Sequence, residues 1–173
     1  MEKIKAQLIG PTVSSNSKPA QDLFAAQRFG EKVGEKIHYS LSETLFLIET
    51  KKLDLYDYRN KKIAAKKITE RFHKLDKKFK IKFTVFKNLR SRGYILKTAL
   101  KFGAEFRVYE PGTKIGEKHA KWILFPISEV ESLTWHEFSA KNRVAHSTKK
   151  NLLIAIVDEE DDVSYYEIKW IKP

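Results

Sequence analysis

The side chains best placed to move a proton lie in the second half of the sequence. His119 follows Gly116-Glu117-Lys118 and precedes the apolar run Ala120–Pro126. A histidine at such a loop–strand junction can shuttle protons near neutral pH. Tyr109 closes the strand-like segment Phe106-Arg107-Val108-Tyr109, and Lys150 stands in Thr148-Lys149-Lys150-Asn151 just ahead of a buried run. Taken singly, each also has an ordinary reading: a surface or capping histidine, a half-buried packing tyrosine, a solvated lysine.

A second constellation is acidic. Asp158–Asp162 followed by Glu167-Ile168-Lys169 resembles the carboxylate-plus-ExK pattern of metal-dependent nucleases, in which acids hold magnesium and a lysine assists a water. The spacing speaks against it. Glu167 and Lys169 share a strand face, but the acids fall in an adjacent tight turn and not on a neighbouring strand. Asp158–Asp162 therefore reads as an exposed turn or a docking element.

The elements that must carry these residues follow from periodicity. Lys3–Val13 reads as one or two short strands broken at Gly10-Pro11, and a short helix with Leu23, Phe24 and Phe29 is stopped by Gly30. Ser40 and Ser42 are N-caps for a helix over Thr44–Thr50, and Leu53–Tyr58 alternates as a strand. Lys61–Lys82 reads as one strongly basic helix with Ile63, Ile68, Phe72, Leu75 and Phe79 on its packed face. Then come a helix over Phe83–Arg92 capped by Gly93 and a strand over Tyr94–Thr98. Two strands near Glu105–Tyr109 and Ala120–Pro126 are joined by the polar loop Glu110–Lys118. A helix within Ser128–Asn142 turns Val130, Leu133 and Phe138 inward. The final strands are Leu152–Val157, a continuous buried run, and Val163–Ile171, which alternates. The expected fold class is α+β, with a small N-terminal α+β domain over 1–82 and a C-terminal mixed-sheet domain over 83–173.

Composition limits the function classes. Hydrophobic residues make up 42% and aromatics 12% of the 173 residues, which fits a globular chain able to bury a core. Cysteine is absent, so disulfides, iron–sulfur clusters and thiolate zinc sites are excluded. No apolar run approaches the roughly 20 residues that span a bilayer, and the N-terminus lacks the apolar stretch of a secretion signal, so a cytoplasmic protein is expected. The formal charge of +12, from 34 basic and 22 acidic residues, favours a polyanionic partner. Lys- and Glu-rich surfaces also suit proteins working hot.

The blocks around these residues resemble a known family. Asn88-Leu89-Arg90-Ser91-Arg92-Gly93-Tyr94-Ile95-Leu96-Lys97-Thr98 is similar to the "DLRxRGYxVKTG" pattern of the archaeal tRNA-splicing endonucleases. In order there follow Leu100–Tyr109, ending in "FRVY", then Glu117-Lys118-His119-Ala120-Lys121, Arg143–Lys150 and Leu152–Asp158. The N-terminal half matches more loosely, chiefly in Tyr39–Leu47. Asn88, Ala99, Asn151 and Trp122 depart from the residues usual at their positions.

The resemblance implies a restriction-endonuclease-like C-terminal domain and a catalytic triad of Tyr109, His119 and Lys150. Alignment through Leu152 prefers Lys150 to its neighbour Lys149. It implies that Tyr109 is the base on a ribose 2′-hydroxyl, His119 the acid for the departing 5′-oxygen, and Lys150 the charge stabiliser. The implied products are a 2′,3′-cyclic phosphate and a 5′-hydroxyl, with no metal or other cofactor needed. Arg143 is implied to stack on a bulged base. The implied partner is precursor tRNA at a bulge-helix-bulge, with no membrane involved. Two bulges call for two active sites, hence a homotetramer or a heterotetramer with a structural subunit. Asp158, Asp161 and Asp162 would form the loop that docks into a partner.

Overall fold

The computed structural model describes residues 2–113, 116 and 118–173. Its chain divides into two compact units, Met1–Phe83 and Thr84–Pro173, each built on a five-stranded sheet. Lys114, Ile115 and Glu117 of the expected loop Glu110–Lys118 lie outside the described residues. Among the described residues, no helix is long and apolar enough to cross a membrane.

In the first unit, β1 (Ile4–Ile9) and β2 (Thr12–Ser15) form a hairpin about Gly10-Pro11. Helix α1 (Lys18–Gln27) follows, then the hairpin β3 (Glu31–Val33) and β4 (Lys36–Tyr39), helix α2 (Leu41–Glu49) and β5 (Leu53–Tyr56). The sheet order is β3-β4-β2-β1-β5, antiparallel except for the β1–β5 pair. Period-two alternation buries Ile4, Ala6, Val13, Ile37, Leu53 and Leu55 on the face that α1 and α2 cover. Ser40 caps α2 in a capping box: Ser40 Oγ accepts from the Glu43 N–H, and Glu43 Oε2 accepts from the Ser40 N–H. The other oxygen of Glu43 accepts from the Gly30 N–H at 2.8 Å, tying the loop after α1 to the helix.

Two expectations in this unit need correction. The first helix ends at Gln27, with Arg28 left-handed at φ 59°; Gly30 does not stop it. Gly30 instead sits at φ +77° against the β3–β4 hairpin, where a Cβ would lie 2.3 Å from Ile37 Cγ2 and 2.8 Å from the His38 carbonyl oxygen. The basic segment Lys61–Lys82 is not one helix. It breaks into α3 (Ala65–Leu75) and α4 (Phe79–Ser91) at Asp76, which is extended at φ −143°. The Asp76 carboxylate accepts from the Lys78 N–H at 2.9 Å and from Lys82 Nζ at 2.7 Å, so it starts the next helix rather than continuing the last. Phe72 and Phe79 still meet edge to face at 5.3 Å, while Leu75 is left 45% exposed.

In the second unit, β6 (Ile95–Thr98), β7 (Phe106–Tyr109), β8 (Trp122–Ser128), β9 (Asn151–Val157) and β10 (Val163–Ile168) lie in sequence order across the sheet. All neighbours are antiparallel except β8 and β9. That parallel pair is joined through α5 (Trp135–Ser147), as a crossover requires. Ile123, Phe125, Leu152 and Ile154 form a core cluster with Ala145 of α5. On the opposite face Phe106, Leu124 and Leu153 are register partners, and Phe86 of α4 packs on Phe106 at 5.9 Å. Burial on both faces explains why the apolar runs in β8 and β9 are continuous. Helix α5 starts later than expected, at a Thr134–Glu137 capping box, and Val130 is 76% exposed rather than inward.

Candidate active site

Strand register carries Tyr109, His119 and Lys150 to one end of the second sheet. Val108 pairs with Trp122, and Trp122 pairs with Asn151. Pairing extends one step further: the Lys121 N–H donates to the Val108 carbonyl, and the Asn151 N–H to the Lys121 carbonyl, each at 3.0 Å. Tyr109 is the residue after Val108, Lys150 the residue before Asn151, and His119 lies two residues before Lys121. All three therefore stand just beyond the same row of the sheet.

Pleating decides which face they share. Arg107 pairs with Ile123, and Ile123 with Leu152, so this row faces α5. Tyr109 is two residues from Arg107, and Lys150 two residues from Leu152, so both belong to that face. Tyr109 is buried, at 6% exposure. Lys150 is half-buried, and its Nζ donates to the Thr148 carbonyl at 2.7 Å. Burial, and then the Arg107 guanidinium, lowers the Lys150 ammonium below the ordinary lysine range. Lys149, by contrast, is exposed and left-handed at φ 54° in the turn that ends α5. His119 is exposed.

Arg143 lies on the exposed side of α5, two residues before the buried Ala145. Asp158–Asp162 closes the β9–β10 hairpin at the other end of the sheet. Asp158 accepts from the N–H groups of Glu160 and Asp162, at 2.9 Å each, and Glu129 accepts from the Glu159 N–H at 2.8 Å. The turn is thus a built, outward acidic feature, with Asp161 left-handed at φ 65°.

Glu167 has a place that sequence reasoning missed. It pairs with Leu153 on β10, which puts it about 17 Å along the strand from Asp158 at roughly 3.4 Å per residue. The acids of the second constellation are therefore split between the two ends of the hairpin. The Glu167 carboxylate accepts from Trp122 Nε1 at 3.1 Å and from Asn151 Nδ2 at 2.7 Å, with Lys169 Nζ at 3.2 Å. The Trp122 hydrogen bond is the main cause that holds it below the usual carboxylate range. It braces the first residues of β8 and β9, which position the segments bearing His119 and Lys150. The ExK spacing drew attention to this residue but gave no sign of its contacts with Trp122 and Asn151. Lys121, just ahead of β8, bonds Glu110 at 2.6 Å and lies 4.5 Å over the Trp122 ring.

The chain is thus a two-unit α+β protein whose second, mixed sheet gathers a phenol, an imidazole and an ammonium beyond one end. Comparison with known families resolves the class further. Residues 79–165 match the tRNA intron endonuclease catalytic C-terminal domain, and residues 4–69 match the N-terminal domain of the same enzymes. Among individual relatives, the tRNA-splicing endonuclease of Thermococcus onnurineus is 38% identical over 99% of this chain and 98% of its own. That of Nanoarchaeum equitans is 41% identical over 77% and 88%, and that of Methanothermobacter thermautotrophicus 36% identical over 89% of each. The chain belongs to the tRNA intron endonuclease family.

Proposed function

We propose that this protein excises introns from precursor tRNA in the cytoplasm, cutting at bulge-helix-bulge splice sites to leave 2′,3′-cyclic phosphate and 5′-hydroxyl ends without a metal ion. The observation that carries the reading is the register that sets Tyr109, His119 and Lys150 beyond one row of one sheet. RNA brings its own nucleophile, so the site has three tasks: take the 2′-hydroxyl proton, hold the charge building on phosphorus, and protonate the leaving 5′-oxygen. Tyr109, Lys150 and His119 take these in turn. Tyr109 either takes the proton itself or chiefly orients the hydroxyl for its loss. Lys150 fits the middle task because Arg107 stands near it: a phosphorane-like anion beside two cations relieves their mutual repulsion as the charge forms. Arg143, exposed on α5, would stack on an unpaired bulge base.

Two bulges need two sites at fixed separation, so the working enzyme is a homotetramer, or a heterotetramer with a structural subunit. Asp158, Asp161 and Asp162 would be the docking turn, and the outward geometry of that turn supports this. In this reading 1–82 is the accessory part and 83–173 the catalytic part. The test incubates the purified chain with bulge-helix-bulge RNA in EDTA and analyses the ends. Cyclic-phosphate ends, with His119→Ala slowing cleavage by about 10²–10⁴-fold, are the expected result. Uncut RNA, or cutting that returns only with magnesium, sinks the reading. The mass of the chain in solution separates the two tetramers.

A further inference from the structure

The catalytic reading uses the second unit and leaves one face of the first unexplained. Helices α1 and α2 cover one side of the β3-β4-β2-β1-β5 sheet. The residues pointing to the other side are mostly polar, with Ile9 and Val33 the exposed apolar exceptions near its margins. Register aligns Tyr56, Gln7, Ser14 and His38 in one row across β5, β1, β2 and β4. Lys5 and Lys36 flank that row, and with Asn16 and Asn60 they line a cleft of about 430 Å³.

Acids on this face stand at its two edges, Asp54 on β5 and Glu31 beside His38 on β3, and the strands between them carry only lysine charge. Among the described residues, neither Lys5 nor Lys36 has an acidic partner. The acid at the β5 edge is already answered, since Asp54 takes Lys62 at 2.8 Å and Lys3 at 3.8 Å. Gln7 Nε2 donates to Asn60 Oδ1 at 2.8 Å, leaving the Gln7 oxygen and the Asn60 amide nitrogen for a ligand. A sheet face with two rings, several amides and hydroxyls, and two unpaired ammonium groups among the described residues is suited to unstacked nucleotides: rings for bases, lysines for phosphates, amides for base edges. An apolar or acidic protein surface would meet none of these demands as well.

We infer that this face of the N-terminal sheet is a second RNA-binding surface, which holds an unpaired segment of the substrate outside the splice-site bulges. The inference rests on the RNA-processing reading above for its partner, but not on the catalytic residues. The experiment measures binding of the full chain to precursor tRNA, and to a minimal bulge-helix-bulge RNA, across a salt series in EDTA. Lys5→Glu/Lys36→Glu should weaken precursor binding about tenfold and flatten the log K against log salt slope by about 1.4, the release expected for two phosphate contacts on a single strand. Tyr56→Ala, which changes no charge, should weaken it by about tenfold through lost stacking. Cleavage and binding of the minimal RNA should be unchanged.

Lys51→Glu/Lys66→Glu alters net charge equally elsewhere in the same unit. An equal loss in that pair would show long-range attraction only and overturn the inference. So would an unchanged slope in Lys5→Glu/Lys36→Glu, or a loss of oligomer with RNA binding intact, which would assign the face to a protein partner. If the wild type cuts no RNA yet binds it in a Lys5- and Lys36-dependent way, the catalytic reading falls and this one stands.

Discussion

Both units set helices on a five-stranded mixed sheet, and they differ in what covers the sheet. The first has its helices on one side, so its strands alternate between a buried row such as Ile4-Ala6-Leu8 and a polar row such as Lys5-Gln7. The second buries β8 and β9 from both sides, and these two strands carry polar residues only at their ends. A sheet covered twice offers no broad face to a ligand; what it offers is a rim, held rigidly by a packed core. Chemistry that needs fixed geometry belongs at such a rim. A broad polar face suits adaptable binding. Substitutions at the rim of the second sheet should therefore move rates, and substitutions in the first unit should move stability or affinity.

The largest effect expected is at the rim. Lys150→Ala should lower kcat about 10²–10³-fold, the usual range for losing one preorganised charge stabiliser, with cooperative unfolding unchanged. Lys149→Ala, in the exposed turn, should do little. Equal losses from both in single-turnover kinetics would break the distinction that burial and the Thr148 bond draw between them.

Next in size is a change confined to the first unit. Gly30→Ala forces a Cβ against Ile37 and the His38 carbonyl in a left-handed conformation. It should cost on the order of 2–4 kcal/mol in denaturant unfolding. A near-neutral result would mean that the β3–β4 hairpin shifts freely, and that the first sheet is less rigid than its register suggests.

Glu167→Gln sharpens the comparison within the rim itself. Glutamine keeps the shape but presents an amide to one of the donors on Trp122 and Asn151. A severalfold fall in kcat with little change in KM, together with a shifted Trp122 emission, is expected. An unaltered rate would show that the ends of β8 and β9 need no brace.

The smallest effect concerns Tyr39, whose buried hydroxyl has no hydrogen-bond partner among the described residues. Burial, and then Glu43, raises its phenol above the ordinary value. A raised folded pKa gives stability that is present below the unfolded pKa near 10 and is lost as pH rises above it. Tyr39→Phe should be neutral or stabilising by up to about 1–2 kcal/mol at pH 7, since it removes an unsatisfied group. It should also flatten the loss of stability above pH 10. An unchanged alkaline limb in pH-dependent melts would place that loss on another residue.

How much was legible in the sequence varied by element. Ser40 announced α2 because capping is local, decided within four residues. The continuous apolar run of β9 announced a strand covered on both faces. The break at Asp76 was hidden, because Phe72 and Phe79 stand seven residues apart and so mimic two turns of one helix while packing together across a kink. Val130 looked inward by period, but the helix it was assigned to begins only after Thr134.

By itself the sequence determined the α+β class, most strands, the local caps and the ordered family blocks that single out Tyr109, His119 and Lys150. Only the tertiary structure decided that Tyr109 and Lys150 share the α5 face, that Lys150 is half-buried near Arg107 while Lys149 is exposed, that Glu167 braces Trp122 and Asn151, and that α1 and α2 both lie on one face of the first sheet. The reason is physical. Caps and periodicity are settled by neighbours along the chain, whereas facing and proximity are settled by hydrogen-bond register between strands far apart in sequence, and a slip of one residue there would turn each of these side chains to the other face.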